Sequence, residues 1–327
     1  MSIAIPAFST KGNWYKGNLH THTLLSDGKS SAEQIIALYQ NAGYHFLAIT
    51  DHNVFRSYPH LSGGGLLLLS GTELTPGFDK SDAELMAVME AHQKGTFVFS
   101  KAAPTLRQKL SALSGPHVVA ISRKLTDTAW NAEHHRLVGL QPMIDYAAEK
   151  GCLSIIAHPV WSRLNTEELC ALHGFSSIEV YNHASHPWAE ASVHWDTVLN
   201  HGMRAFASAC DDTHDMEEAL GGYIMLKAPA LTYDAVMEAF ENGEYYSSSG
   251  PAILDFHHDN GYMAVSCSPA REIRFLTDNI FGRTYRAKNK EDLTHCTHKL
   301  FGNERYVRVE IVDAQGRKAW TNPAFLD

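Results

Sequence analysis

The sequence lacks a hydrophobic run long enough for a membrane-spanning helix, and it lacks a cysteine pattern that would support disulfides. No window approaches the roughly 18 unbroken apolar residues that such a helix needs, and the opening residues lack the basic and apolar regions of a secretory signal. The five cysteines are scattered and contain no C-x-x-C pair, which argues against a disulfide framework or a thiolate zinc site. We therefore expect a cytoplasmic protein that has no membrane partner.

Positive charge is also scarce. The 27 Lys and Arg residues face 36 Asp and Glu, so the formal net charge is −9. This balance opposes binding to a nucleic-acid polymer, because affinity for phosphates comes largely from cationic side chains. A small anionic substrate stays open, since bound metal ions supply positive charge that no residue count contains. Histidine, in contrast, is abundant at 20 residues.

Short apolar runs alternate with stretches of helical periodicity. One such stretch carries Ser30 and Glu33 at capping-box spacing. Alternating strands and helices indicate an α/β fold with a parallel sheet, and about seven units favour closure into a barrel. The predicted strands cover 18–23, 44–50, 66–74, 117–122, 152–158, 177–181 and 204–209, and the predicted helices include 81–95 and 104–115.

The pattern of predicted secondary structure changes at about Ala252. After this residue, strand-like segments follow one another with no helix of any length. At 327 residues the chain exceeds the usual single-domain size. The sequence therefore predicts a barrel in residues 1–250 and a small β-rich domain in residues 251–327.

Histidines and carboxylates recur where predicted strands end. His20 and His22 are two positions apart, which places both side chains on one face of a strand. In parallel barrels the carboxyl ends of the strands build the active site. Charged groups gathered there would stay unsatisfied without cations, and a set of imidazoles and carboxylates without thiolate suits Zn, Mn or Fe. The further residues of this pattern are Asp51, His52, Glu73, His158, Asp212 and His214.

Seven motifs in this order resemble the polymerase and histidinol phosphatase (PHP) family: HTH (20–22), SDG (26–28), TDHN (50–53), GTEL (71–74), HVVAIS (117–122), AHP (157–159) and DDTH (211–214). The resemblance covers about residues 14–215. It implies a distorted (β/α)7 barrel, with a small C-terminal β-rich appendix in this chain, and two or three divalent ions.

The resemblance also implies the ligands of each ion. One ion would be held by His20, His22, Glu73 and Asp212, a second by Glu73, His117 and His158, and a third by Asp27, His52 and His214. Glu73 would bridge the first two ions. His117 stands at the start of its strand instead of the end, and His92, in the insertion 75–116, is the alternative ligand.

Charge favours an anionic substrate, because the ions would outweigh the carboxylates that hold them. We therefore expect a phosphoesterase for a small phosphomonoester, nucleotide or cyclic phosphate, which acts by in-line attack of a metal-bridging hydroxide. Asp212, His214 and His52 are the expected catalytic residues, since they lie nearest to the leaving group in the motif map. The candidates for substrate binding are Arg56, Arg163, Asn182, His183 and His186.

Other functions stay open. A carbamate or carboxylic ester hydrolase could use the same centre, and an aromatic-lined pocket without arginine would favour it. Histidinol-phosphate phosphatase is a related activity, although members of that branch generally lack a β appendix. A scaffold with a decayed site is disfavoured, because every main motif is intact. The expected partner is a small phosphorylated substrate, and a homo-oligomer is left open.

Overall fold

The computed structural model describes residues 3, 5–77, 87–88, 115–288 and 291–326. The predicted helices 81–95 and 104–115 lie outside these residues except for positions 87, 88 and 115, and so does His92. The described helices are α1 (Ala32–Asn41), α2 (Leu140–Glu149), α3 (Thr166–Cys170), α4 (Ser192–Asn200) and α5 (Tyr233–Glu241).

In the described residues, eleven strands precede residue 250. They are β1 (Asn13–Asn18), β2 (Phe46–Ile49), β3 (Val54–Phe55), β4 (Leu67–Leu74), β5 (Val118–Ser122), β6 (Trp130–Asn131), β7 (Cys152–Ile156), β8 (Ser177–Asn182), β9 (Phe206–Cys210), β10 (Tyr223–Ala228) and β11 (Tyr245–Ser248). For six of the seven predicted strands, the predicted last residue lies within two positions of the last residue of an observed strand. β2, β5 and β7 are buried throughout, which explains why their sequences are almost continuously apolar.

Seven strands form a path in the order β1-β2-β4-β5-β7-β8-β9. β1, β2 and β4 pair in parallel with one another, and so do β7, β8 and β9. After β9 the chain returns to the segment that follows β1: His22 donates its backbone N–H to Thr213 O (2.9 Å), and Asp212 donates to His20 O (3.0 Å). The fold is thus a mixed α/β arrangement built on a large sheet that contains parallel strands.

The expectation of a parallel sheet is wrong for β5, which pairs antiparallel with both β4 and β7. β5 begins at the same edge at which β4 ends, because Leu74 pairs with Val118. At the opposite edge, Arg123 donates its backbone N–H to Gly151 O at 3.1 Å, just before β7 begins. Because β5 runs in the opposite direction, a residue just before β5 lies at the same edge of the sheet as residues just after the parallel strands.

Two local predictions at the start of the chain need correction. The strand expected at 18–23 is observed at Asn13–Asn18, because the Asn18 amide donates to His20 O (3.0 Å) and Thr21 Oγ1 (2.8 Å) and so turns the chain out of the ladder. The N-cap of α1 is Ser31, not Ser30: the Ser31 hydroxyl accepts the N–H of Gln34, and the Gln34 side chain accepts the N–H of Ser31.

Only strands follow residue 250 in the described part of the chain. They are β12 (Ile253–Asp259), β13 (Tyr262–Ala270), β14 (Glu272–Thr277), β15 (Arg283–Arg286), β16 (Leu293–Lys299), β17 (Tyr306–Val312), β18 (Lys318–Thr321) and β19 (Ala324–Phe325). β12, β13 and β16 form a separate sheet. β18 pairs with β11, so the large sheet continues across residue 250. The division into domains 1–250 and 251–327 stays a prediction.

Two hydrophobic cores reflect this continuity. Phe256, Val265 and Ile311 pack in one core together with Tyr246 of β11. Trp320 of β18 packs in a core that α2 and α4 also line. Among the described helices, none is both long enough and apolar enough to cross a membrane.

Candidate metal centre

The nine predicted metal ligands meet at one edge of the seven-strand path. His20 and His22 follow β1, His52 follows β2, Glu73 lies near the end of β4, His158 follows β7, and Asp212 and His214 follow β9. His117 precedes β5 and reaches the same edge because that strand runs in the opposite direction. Asp27 joins them from the loop between β1 and α1.

Glu73 lies at the centre of the cluster and is 1% exposed. Its Oε2 is 3.1 Å from His20 Nε2, 3.2 Å from His22 Nε2 and 3.0 Å from His52 Nδ1. Its Oε1 is 2.9 Å from His117 Nδ1 and 3.0 Å from His158 Nε2. One buried carboxylate is therefore surrounded by five imidazole rings, which suits a group that bridges two cations.

The remaining carboxylates complete two further groups. Asp212 Oδ1 lies 3.1 Å from Nε2 of both His20 and His22. Asp27 lies 3.4 Å from His52 Nε2 and 3.4 Å from His214 Nε2. The Nδ1 atom of His22 is 3.6 Å from Asp27 Oδ1, so the two nitrogens of His22 face different groups.

Two buried polar atoms of this cluster have no hydrogen-bond partner. Asp212 Oδ1 and His52 Nδ1 are both buried without a hydrogen-bond partner, although each lies within about 3 Å of an oppositely polarised atom. Such atoms aim at a shared space instead of at one another. Imidazole nitrogens and carboxylate oxygens are ligands for divalent first-row metals, so these residues fit divalent cations.

Most of the pKa shifts within this cluster favour protonated imidazoles beside ionised carboxylates. Burial of His22 opposes its protonation, but Asp212 and Glu73 outweigh that effect and raise its pKa to about 9. Burial likewise opposes ionisation of Asp212, yet His20 and His22 hold its pKa below the ordinary value. The cluster therefore carries buried negative charge that either protons or metal ions must balance.

Hydrogen bonds with residues outside the ligand set orient several of the predicted ligands. His20 Nδ1 lies 2.8 Å from Glu179 Oε1, and His158 Nδ1 lies 2.9 Å from Ser162 Oγ. Asp51 accepts hydrogen bonds from the backbone N–H of Thr23 (2.7 Å) and from the hydroxyl of Ser26 (2.9 Å), and so holds the loop that carries Asp27. Outer-shell bonds of this kind fix the orientation of metal ligands.

Sequence reasoning missed Glu179. It lies inside β8, whose burial is nearly complete, and an ionisable residue is rarely buried without a partner. A carboxylate in the apolar run SIEVY was the available signal. Asp51 follows a predicted strand and so belongs to the sequence pattern of histidines and carboxylates. In the structure it lies beside the ligand cluster, where it accepts hydrogen bonds from the loop.

The cluster opens into a cavity of about 220 Å³. Predicted ligands line much of it, including the three residues expected to be catalytic, His52, Asp212 and His214. The cavity is also lined by Trp161, Ala184, Ser185 and Glu218. None of the described residues that line this cavity is an arginine or a lysine.

The five candidates for substrate binding do not line this cavity. Arg56 donates to Phe55 O (2.8 Å), Trp130 O (3.3 Å) and Asn131 Oδ1 (3.2 Å). Arg163 lies 4.1 Å above the ring of Trp188 and lines a separate cavity of about 700 Å³.

The other three candidates belong to the segment 181–186. His183 and His186 both contact the hydroxyl of Tyr181, at 3.0 and 3.2 Å. Asn182 is buried and donates to Glu179 Oε2 (2.8 Å) and Asp212 Oδ2 (3.1 Å). Asn182 therefore contacts a predicted ligand, while substrate binding by these five residues stays a prediction.

Comparison with known proteins adds structural neighbours. No family model and no curated protein matches this sequence. A two-domain protein from Bacteroides vulgatus ATCC 8482, which contains a predicted PHP-like metal-dependent phosphoesterase, is 13% identical with a TM-score of 0.47, and the match covers 96% of this chain and 94% of that chain.

Two further solved structures cover a smaller part of this chain. A proposed metal-dependent phosphoesterase from Bifidobacterium adolescentis ATCC 15703 is 17% identical with a TM-score of 0.38, covering 63% of this chain and 90% of that one. An amidohydrolase from Chromobacterium violaceum, solved with sulfate and no metal, is 19% identical with a TM-score of 0.34, covering 61% and 87%. Two of these structural neighbours are thus named metal-dependent phosphoesterases, one of them PHP-like, and the third is named an amidohydrolase.

Proposed function

We propose that this protein is a metal-dependent hydrolase that cleaves a small phosphate ester. The observation that carries the proposal is the buried carboxylate of Glu73, which five imidazole rings surround beside the unpaired Oδ1 of Asp212. The order of the seven motifs supports the PHP family. The return of the seven-strand path to its first strand supports the distorted (β/α)7 barrel of that family.

Two or three divalent ions, of Mn, Zn or Fe, would be held by the nine predicted ligands. His20, His22, Glu73 and Asp212 fit the first ion, and Asp27, His52 and His214, which lie together with His22, fit the third. For the second ion, His117 Nδ1 and His158 Nε2 both lie about 3 Å from Glu73 Oε1, and His52 also lies close to Glu73 and His117. When bound, such ions supply Lewis acidity, which lowers the pKa of a coordinated water from 15.7 toward about 7.

The chain's own residues supply orientation and charge. Glu179 and Ser162 hold the rings of His20 and His158, so that the other nitrogen of each ring faces Glu73. Three divalent ions would carry more charge than Asp27, Glu73 and Asp212 together, even after Glu179 is added behind them. The centre would therefore attract an anionic substrate although no described arginine or lysine lines the cavity.

A second function is favoured by the same lining. Trp161 is a lining residue, and the described part of the cavity wall offers no cationic side chain that could pair with phosphate oxygens. A carbamate or carboxylic ester needs no such pairing. Hydrolysis of a neutral ester at the same centre is therefore the alternative to phosphate ester hydrolysis.

The experiment loads chelator-stripped protein with Mn²⁺, Zn²⁺ or Fe²⁺ and screens phosphomonoesters, nucleotides, cyclic phosphates, carboxylic esters and carbamates. Asp212→Asn should lower metal-dependent phosphate release by about 100-fold or more, equivalent to roughly 3 kcal/mol. Asp145→Asn, on the exposed face of α2, is the matched control and should keep full activity. Ester turnover without phosphate release would favour the second function, and failure to bind any of these ions would contradict both.

A further inference from the structure

Glu179 lies behind the candidate metal centre and does not line its cavity. It is 2% exposed on β8. Its Oε1 is 2.8 Å from His20 Nδ1. Its Oε2 accepts the backbone N–H of His158 and the side-chain amide of Asn182, both at 2.8 Å. Both oxygens of this buried carboxylate are thus used within the cluster.

The contact with His20 decides which ring nitrogen carries the proton. A carboxylate only accepts hydrogen bonds, so His20 must donate from Nδ1 to Glu179. The lone pair of Nε2 then points toward Glu73 and Asp212, each 3.1 Å away. Without Glu179 the ring could carry its proton on Nε2, and that tautomer cannot bind a cation on the same side.

The contact with His158 acts on the backbone. His158 has a φ of 28°, in the left-handed region that residues other than glycine seldom occupy. Strained conformations of this kind persist only where their surroundings hold them. The bond from the His158 N–H to Glu179 is one such restraint, and it helps to keep Nε2 of His158 at 3.0 Å from Glu73 Oε1.

The contact with Asn182 extends to a third ligand. Asn182 donates from one amide nitrogen to Glu179 and to Asp212 Oδ2, at 2.8 and 3.1 Å. Asp212 is also in the left-handed region, with a φ of 57°. Glu179 therefore contacts the ring of His20 and the backbone of His158 directly, and it reaches Asp212 through the side-chain amide of Asn182.

We propose that Glu179 is the positioning residue for the two ions that share Glu73, and that it leaves the third ion unaffected. The inference rests on the proposed metal centre and extends it. The ligands that Glu179 orients are His20, His158 and Asp212, which belong to the first and second ion sites. No contact of Glu179 among the described residues reaches Asp27, His52 or His214.

Glu179→Gln is the decisive variant, because the glutamine amide can donate to His20 Nδ1 and so favour the wrong tautomer. Two ions should bind about 10–100-fold more weakly in this variant, the usual effect of losing an outer-shell partner, while the third keeps its affinity. Metal analysis and chelator competition measure this difference. Glu310→Gln is the matched control, since Glu310 is equally buried on β17 and its ion pairs among the described residues, with Arg274, Arg308 and Lys318, involve no predicted ligand.

A spectroscopic measurement separates positioning from a purely structural role. Nitrogen-15 NMR of ring-labelled histidine, with His20→Asn used for assignment, reports the tautomer of each ring. In the zinc-loaded wild-type protein His20 should carry a proton on Nδ1 alone, and in Glu179→Gln with zinc present the proton should shift to Nε2. Because the wild-type measurement does not use Glu179→Gln, the test holds even where that variant fails to fold.

The outcomes distinguish this inference from the proposed function. Wild-type protein that binds no ions would overturn both. Wild-type protein that binds ions while Glu179→Gln matches its affinities within about threefold would overturn only the role of Glu179. A wild-type His20 with its proton on Nε2 would overturn that role as well.

Discussion

Asp211 and Asp212 are consecutive in the chain, but their carboxyl groups lie in opposite surroundings. Asp211 accepts hydrogen bonds from the backbone N–H groups of Leu220 (2.9 Å), Gly221 (2.8 Å) and Gly222 (2.6 Å), and from the hydroxyl of Tyr39 (2.7 Å). Asp212 instead turns its Oδ1 toward two imidazole rings without a hydrogen bond. Asp211 therefore holds the loop 220–222 through hydrogen bonds, whereas Asp212 keeps an oxygen free for the cation that we propose.

Asp211→Asn should destabilise the fold without removing a metal ligand. Either orientation of the new amide places its NH₂ group against a backbone N–H, because donors surround both oxygens of Asp211. Each lost bond of a buried group costs about 1–3 kcal/mol. Chemical denaturation in the presence of a chelator measures this cost.

Asp212→Asn serves as the comparison for that experiment. It should lose bound metal while its unfolding free energy in chelator changes less than that of Asp211→Asn. The opposite ranking, with Asp212→Asn the less stable variant in chelator, would contradict the division of roles between the two aspartates.

Metal binding should strengthen as the pH rises. The pKa of His22 is raised to about 9, against its burial, by Asp212 and Glu73, and a cation binds only after the ring loses its proton. Protonation of His22 stabilises the metal-free protein fully below its unfolded pKa of about 6.5, and this stabilisation is lost as the pH rises toward 9. The gap in Tm between zinc-loaded and metal-free protein should therefore widen from pH 6.5 to 9.

Calorimetry provides an independent check of that linkage. At neutral pH, zinc binding should release protons, counted from the dependence of the binding heat on the ionisation enthalpy of the buffer. A Tm gap that stays constant or narrows with rising pH, together with no proton release, would refute the proposed competition between protons and metal.

The sequence predicts which residues meet at this edge of the sheet better than it predicts the geometry around them. Buried strands leave continuous apolar runs, and polar residues at the ends of such runs stand out, as Glu73 and His158 do. The direction of β5 leaves no such mark, because its residues VVAIS read alike in either direction. Its direction depends on the edge at which the connecting chain returns, which explains why His117 precedes its strand and still reaches Glu73.

Residues that act through distant contacts are harder to identify from sequence. Glu179 meets His20, 159 positions earlier in the chain, and neither segment indicates the other. Arg56 lies three residues after the TDHN motif, yet its guanidinium bonds to Phe55 O and Trp130 O, away from the cavity. Closeness in sequence to a motif does not fix where a long side chain points.

Arg308 should couple the C-terminal strands to the first 250 residues. Its side chain is fully buried and donates to Asp196 of α4 through Nε (2.7 Å) and Nη2 (2.8 Å). Arg308→Met leaves Asp196 without its partner and should cost about 3 kcal/mol. Arg286→Met, which removes an exposed pair with Glu272, is the control and should cost less than about 1 kcal/mol.

The same coupling bears on the domain division. β18 pairs with β11, and Trp320 donates to Ser192 Oγ at 3.1 Å. We expect a fragment of residues 1–250 to be unfolded and the full chain to unfold in one transition. Circular dichroism and calorimetry decide this, and a fragment that folds with near-native stability would support two independent domains.

Trp161 should favour substrates that carry an aromatic group. It is 42% exposed, its ring packs edge-on against His158 at 4.9 Å, and it lines the cavity of the metal centre. Stacking of a planar leaving group on such a ring is worth up to about 1.5 kcal/mol. Trp161→Ala should therefore raise KM for phenyl phosphate about tenfold while KM for glycerol phosphate stays the same.

Trp188 is equally exposed but packs under Arg163 outside this cavity, so Trp188→Ala should change neither value. Equal losses for both substrates in Trp161→Ala would mean that the ring supports His158 instead of contacting the leaving group.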